Sequence, residues 1–178
     1  YECDKISIEK LKHFVSKEAF NIDGLGKKIV ENFWNLDLIK LPQDIFKLNF
    51  EKLLTLEGWG KQSVENLKYS INEKKNIPLE RFIFALGIRH IGLENAKILS
   101  KYYKSFLKFK SLSEDKNYHE LLNIDGIGET QINSIRNFFS NSTNLNILNE
   151  LGNLLTIKNT IADKVNGVLK NQTFMITG

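Results

Sequence analysis

The sequence predicts a mostly α-helical protein built from four tandem repeats, each a helix, a tight turn and a second helix. A glycine recurs at Gly26, Gly60, Gly92 and Gly128, with spacings of 34, 32 and 36 residues. The same apolar frame surrounds each copy. Three copies also share a turn of the form apolar–x–Gly–apolar–Gly: Ile22-Asp-Gly-Leu-Gly26, Leu56-Glu-Gly-Trp-Gly60 and Ile124-Asp-Gly-Ile-Gly128. The third copy, Ile88-Arg-His-Ile-Gly92, has His90 at the first glycine position.

The frame is apolar at every aligned position. Six before the glycine stand Phe20, Leu54, Leu86 and Leu122, and four before stand Ile22, Leu56, Ile88 and Ile124. Leu25, Trp59, Ile91 and Ile127 come one before; Val30, Val64, Ala96 and Ile132 four after; Phe33, Leu67, Leu99 and Ile135 seven after. Apolar residues at +4 and +7 make one stripe of an amphipathic helix. The residue between the glycines, Trp59 included, reads as a plug that anchors the turn in the core. A single copy has too little apolar surface for a core of its own. Repeats one with two, and three with four, are therefore expected to form two paired halves.

Composition sets the outer bounds. The 178 residues can bury a real core, and 42% are hydrophobic. No apolar run approaches the roughly 20 residues of a membrane helix, and no secretory signal stands at the start. The first residue is Tyr1 rather than Met, so a longer parent protein is expected. Net charge is +4, mildly basic and by itself weak support for a nucleic-acid partner. The single cysteine, Cys3, excludes an internal disulfide and fits a reducing compartment.

In chain order, residues 1–16 read as a stub running into a leading helix from about Lys5 to Ser16. Repeats one and two occupy 17–75, with a short helix starting at Leu41-Pro-Gln-Asp44 because proline suits a first helical turn. Asn72-Glu-Lys-Lys-Asn76 reads as a polar hinge, and Pro78 opens the helix leading into repeat three. Repeats three and four fill 76–155 with the closing amphipathic stretch Leu145–Leu151. A linker is expected from Thr156.

Glycine allows positive φ and lets the backbone approach an oxyanion with no Cβ in the way. The helix that follows points unpaired N–H groups and a positive dipole end at the same place. The candidate anion-binding residues are therefore the backbones of Gly24, Gly26, Gly58, Gly60, Gly92, Gly126 and Gly128, with the cations Lys27, Lys28, Lys61 and Arg89. Asp23, Glu57 and Asp125 recur within the turns and are expected to hydrogen-bond the turn or cap the next helix.

These turns resemble helix–hairpin–helix motifs, a likeness that implies backbone N–H groups set against DNA phosphates. The chain as a whole resembles the C-terminal half of bacterial NAD-dependent DNA ligases. Cys3, Leu11-Lys-His-Phe-Val-Ser16 and Asn21-Ile-Asp-Gly-Leu-Gly26 are similar to that family's passage from zinc finger to first repeat. Leu79-Glu-Arg-Phe-Ile-Phe-Ala-Leu-Gly-Ile-Arg89 is similar to its approach to repeat three, and Lys170-Asn-Gln-Thr-Phe-Met-Ile-Thr-Gly178 to the first strand of its BRCT domain. The resemblance thus implies a β-strand remnant at the C-terminus, with 156–178 as linker and truncated BRCT-like start, and 1–16 as a zinc-finger remnant.

The resemblance further implies a bacterial, cytoplasmic, monomeric DNA-gripping module. Its parent would seal nicks in duplex DNA during replication and repair, using NAD, magnesium and zinc, with catalytic domains upstream. Cys3 would be an orphaned zinc ligand, because tetrahedral zinc needs about four donors. The family's adenylated lysine lies in Lys-x-Asp-Gly; here Asn21-Ile-Asp-Gly24 and Asn123-Ile-Asp-Gly126 place an amide where an amine must attack, so no catalytic residue and no cofactor is assigned to this chain. Two other readings stay open on the residues: a helix–hairpin–helix scaffold of another repair protein, and a protein-dimerisation module.

Overall fold

The computed structural model describes residues 2–161. In chain order these form α1 (Glu2–Val15), α2 (Lys27–Asn35), α3 (Pro42–Ile45), α4 (Phe50–Leu53) and α5 (Lys61–Glu73). There follow β1 (Asn76–Pro78), α6 (Leu79–Ala85), α7 (Leu93–Tyr103), α8 (Phe106–Lys110) and α9 (Leu112–Asp115). A 3₁₀ turn (Tyr118–Asn123), α10 (Glu129–Phe139), α11 (Ser142–Leu154) and β2 (Thr156–Lys158) complete the order. Among the described residues no helix is long and apolar enough to cross a membrane.

The helices α2, α5, α7 and α10 each begin directly after a recurring glycine. The +4 and +7 side chains of all four are buried, so the apolar stripe faces inward while the lysines and asparagines between face solvent. Leu67 is 1% exposed, and its Cδ1 lies 3.4 Å from where a Cβ on Gly24 would stand. Phe33 of the first unit packs against Trp59 of the second, ring centroids 5.5 Å apart and planes tilted by 38°. Third and fourth units meet in the same way, with Ile98 Cδ1 beneath Gly126 and the Asn95 amide donating to the Gly126 carbonyl over 3.3 Å. One cluster of buried side chains runs from Leu11 to Leu155.

Polar contacts tie distant segments of the chain together. The Arg81 guanidinium donates to the carbonyls of Lys17 and Ala19 at 3.1 and 2.7 Å, and His13 Nε2 lies 2.7 Å from the Phe84 carbonyl. Strands β1 and β2 pair in parallel, Ile77 opposite Ile157. Gln43 of α3, 1% exposed, donates to Glu150 of α11 at 2.7 Å, and Lys47 donates to the same carboxylate at 2.8 Å.

Several sequence expectations change. The leading helix starts at Glu2 rather than near Lys5, so Cys3 sits on helix. The segment read as a polar hinge and the start of the expected linker are pinned against each other: Thr156 N donates to the Lys75 carbonyl at 2.8 Å, and Thr156–Lys158 is strand. The reason is Ile77, 2% exposed, which the surrounding polar residues masked in the sequence. At the −6 position Leu54 and Leu122 are 46% and 57% exposed, so only Phe20 and Leu86 serve the core there. The expected strand at 170–178 lies outside the described residues.

Two outcomes test this packing. Leu67→Ala should cost about 2–5 kcal/mol of unfolding free energy by denaturant titration, as a core cavity does; a loss under about 1 kcal/mol would mean the site collapses or was never packed. Hydrogen bonds from Lys47 and Gln43 hold the Glu150 carboxyl below the ordinary glutamate range. A depressed folded pKa contributes stability above the unfolded value, about 4.3, and that contribution disappears as pH falls through the folded value. Glu150→Gln should therefore flatten the acid limb of the stability curve below about pH 4.3, and parallel limbs would refute the latch.

Candidate nucleic-acid interface

Four turns share one backbone. In each, an amide bonds back to the carbonyl three residues earlier: Leu25 to Ile22 at 3.3 Å, Trp59 to Leu56 at 3.2 Å, Ile91 to Ile88 at 3.0 Å and Ile127 to Ile124 at 3.2 Å. The third residue of each turn has positive φ, +91° at Gly24, +85° at Gly58, +64° at His90 and +93° at Gly126. That is the mark of a type II turn, and it is why glycine fills three of the four places.

The second glycine does something else. Gly26, Gly60, Gly92 and Gly128 have φ of −70°, −106°, −87° and −104° with extended ψ, a conformation open to any residue. The expectation that these glycines serve positive φ fails, because that demand falls two residues earlier. Their value is the bare surface. A Cβ on Gly26, Gly60 or Gly92 would meet nothing within 4 Å. Each caps its helix, its carbonyl accepting from Val30, Val64, Ala96 or Ile132 at 2.9–3.0 Å, so the first-turn N–H groups face outward with no helical partner.

The turns divide by how the glycine amide itself is used. Gly60 N donates to Ser63 Oγ at 2.9 Å and Gly128 N to Gln131 Oε1 at 3.0 Å. This is the return half of a capping box, readable in the sequence as Gly-x-x-Ser and Gly-x-x-Gln. Ile29 and Asn95 hold that place in the other two units, and the amides of Gly26 and Gly92 have no protein acceptor among the described residues. The acidic turn residues do not cap: Asp23, Glu57 and Asp125 are exposed and make no hydrogen bond to their turns among the described residues. At the second and fourth turns Ser63 and Gln131 take the glycine amide instead.

Charge follows the turns unevenly. Lys27, Lys28, Lys61 and Arg89 are exposed and enter no ion pair among the described residues, whereas Lys12, Lys40, Lys47 and Lys97 are all paired. The fourth turn has no adjacent cation; Asp125 and Glu129 flank it instead. An anion approaching turns one to three meets open amides, a helix N-terminus and a free cation together. Trp59 is half-buried against Phe33, as a turn plug should be.

No metal-binding group of three or more His, Cys, Asp or Glu side chains occurs among the described residues. Cys3 is exposed on α1, His13 contacts Phe84 and His90 contacts Ser134. The donors present do not fit zinc.

The two glycine roles predict opposite responses to alanine. Gly58→Ala should lose about 1 kcal/mol in denaturant unfolding, since a Cβ is strained at positive φ. Gly60→Ala should be within about 0.5 kcal/mol of the parent, its φ being ordinary and its Cβ site open. Equal losses at both would contradict the turn geometry.

Comparison with known proteins follows the same lines. A family model described as helix-hairpin-helix motif matches residues 81–148. A DNA ligase of Pelagibacter ubique is 64% identical over all 178 residues, which are 26% of that protein. DNA ligases of Wolbachia pipientis and Rickettsia canadensis are 44% and 40% identical over 100% and 99% of this chain, covering 28% and 27% of theirs. The chain spans about a quarter of the length of these relatives. The chain is similar, end to end, to a segment of these DNA ligases, and its residues 81–148 match the helix–hairpin–helix motif.

Proposed function

We propose that this chain is the duplex-gripping module of an NAD-dependent DNA ligase, holding the DNA backbone without reading its sequence. The observation that carries the reading is the exposed, cation-flanked glycine turn before a long helix, at Gly26, Gly60 and Gly92. Such a turn offers N–H donors and positive charge to a phosphate oxygen and offers nothing that distinguishes one base from another. Joining several of them on one core spaces the contacts, so they bind a repeating polyanion better than a single anion. The relatives named DNA ligase support a ligase parent; in this reading that parent seals nicked duplex in replication and repair, in a bacterial cytoplasm.

The chemistry of joining belongs to other parts of the parent. Asn21 and Asn123 stand where an adenylated lysine would be needed, so in this reading the chain takes no AMP from NAD, and magnesium belongs to the parent's joining chemistry. Zinc would need further donors besides Cys3.

Titrating unrelated duplexes with the 178-residue chain tests the reading. Four free cations, Lys27, Lys28, Lys61 and Arg89, should give a slope of log K against log salt of about −4. Lys61→Ala should make it shallower by about 1 with an unchanged melting curve. A tenfold preference for one sequence, or a flat salt response, would overturn the proposal. Salt-insensitive self-association without DNA binding would favour a dimerisation module.

A further inference from the structure

The third turn departs from the others at one residue. His90 occupies the place of Gly24, Gly58 and Gly126, at φ +64°, where a Cβ-bearing side chain is strained and glycine is not. The fold does not require this strain, since three sister turns are built without it. Strain retained at an exposed turn points to a use for the side chain. The imidazole is also held. Its Nδ1 lies 3.0 Å from the Ser134 hydroxyl of α10, across the contact between third and fourth units. In the tautomer where Nδ1 accepts the Ser134 proton, Nε2–H is a donor left for a ligand.

The surroundings favour an anion. Arg89 precedes His90, exposed and without an ion-paired partner among the described residues, and the Gly92 amide has no protein acceptor there. Arg89 and Ser134, the two neighbours of His90 in this arrangement, line a cleft of about 820 Å³ with Lys10 and Asn137, a cleft that His90 itself does not line, and Glu94 on the first turn of α7 is paired with Lys97 at 3.6 Å.

We propose that His90 is a further phosphate-binding residue. At the third turn the side chains of His90 and Arg89 grip the DNA backbone beside the Gly92 amide, and Ser134 positions the imidazole. The inference rests on the duplex-binding reading above and adds a side-chain contact that the glycine pattern does not contain.

The test titrates the 178-residue chain, wild type and variants, with one duplex and follows melting in parallel. His90→Gly removes strain and side chain together; His90→Asn keeps a residue that tolerates left-handed φ but lacks the reach. Both should fold like wild type and bind about tenfold more weakly, the loss of one hydrogen bond to a charged group. Ser134→Ala should weaken binding and Ser134→Thr, which keeps the hydroxyl, should restore it. If both His90 variants bind as wild type does, or lose affinity only in proportion to lost folded protein, His90 is a turn residue and the inference is wrong while the duplex reading stands. If wild type itself fails to bind duplex, the reading falls and takes the inference with it.

Discussion

An α-helix starts with amide groups that its own hydrogen bonding cannot use, and this chain presents four such helix starts bare at its surface. Side-chain capping would satisfy some of them and hide the dipole end. Here the N-cap residue of α2, α5, α7 and α10 is glycine, which has no side chain to give. Everything before the glycine then has to place the helix start. The type II turn reverses the chain, its positive-φ residue sets the direction, and the plug residue fixes the tip to the core.

The plug works only because a second unit stands behind it. Leu67 lies under Gly24 and Ile98 under Gly126, so the turn of one unit rests on the long helix of its neighbour. A Cβ at Gly126 would stand 2.7 Å from Ile98 Cδ1 and force that side chain to shift, whereas at Gly24 it would meet Leu67 Cδ1 at ordinary contact distance, 3.4 Å. Gly126 therefore serves both the turn's positive φ and the close approach of the neighbouring unit, while Gly24 is demanded by φ alone. His90 shows the other solution: its side chain reaches across to Ser134 instead of making room.

Joints between the pairs decide whether the turns act together. Arg81 reaching two carbonyls near the first turn, the β1–β2 pairing and the Glu150 latch link distant parts of the chain through polar contacts. Polar joints of this kind specify geometry more than they add stability. For a surface that meets a polyanion at several points, relative placement is the property that matters.

The sequence alone determined the repeat, the turn and the inward stripe, because each rests on local periodicity and on the steric permissiveness of glycine. Val30, Val64, Ala96 and Ile132 are buried as their spacing requires. It could not separate the two glycines of a turn, since both look alike until φ is known. It could not show that Leu54 and Leu122 point to solvent, because burial depends on what lies opposite, and no second unit covers them. The pairing of Asn76–Pro78 with Thr156–Lys158 was equally hidden: strand partners 80 residues apart leave no periodic trace in so short a segment. Which cations stay free, and that His90 leans on Ser134, were decided by tertiary contacts, since pairing and exposure are properties of neighbours that only folding brings together.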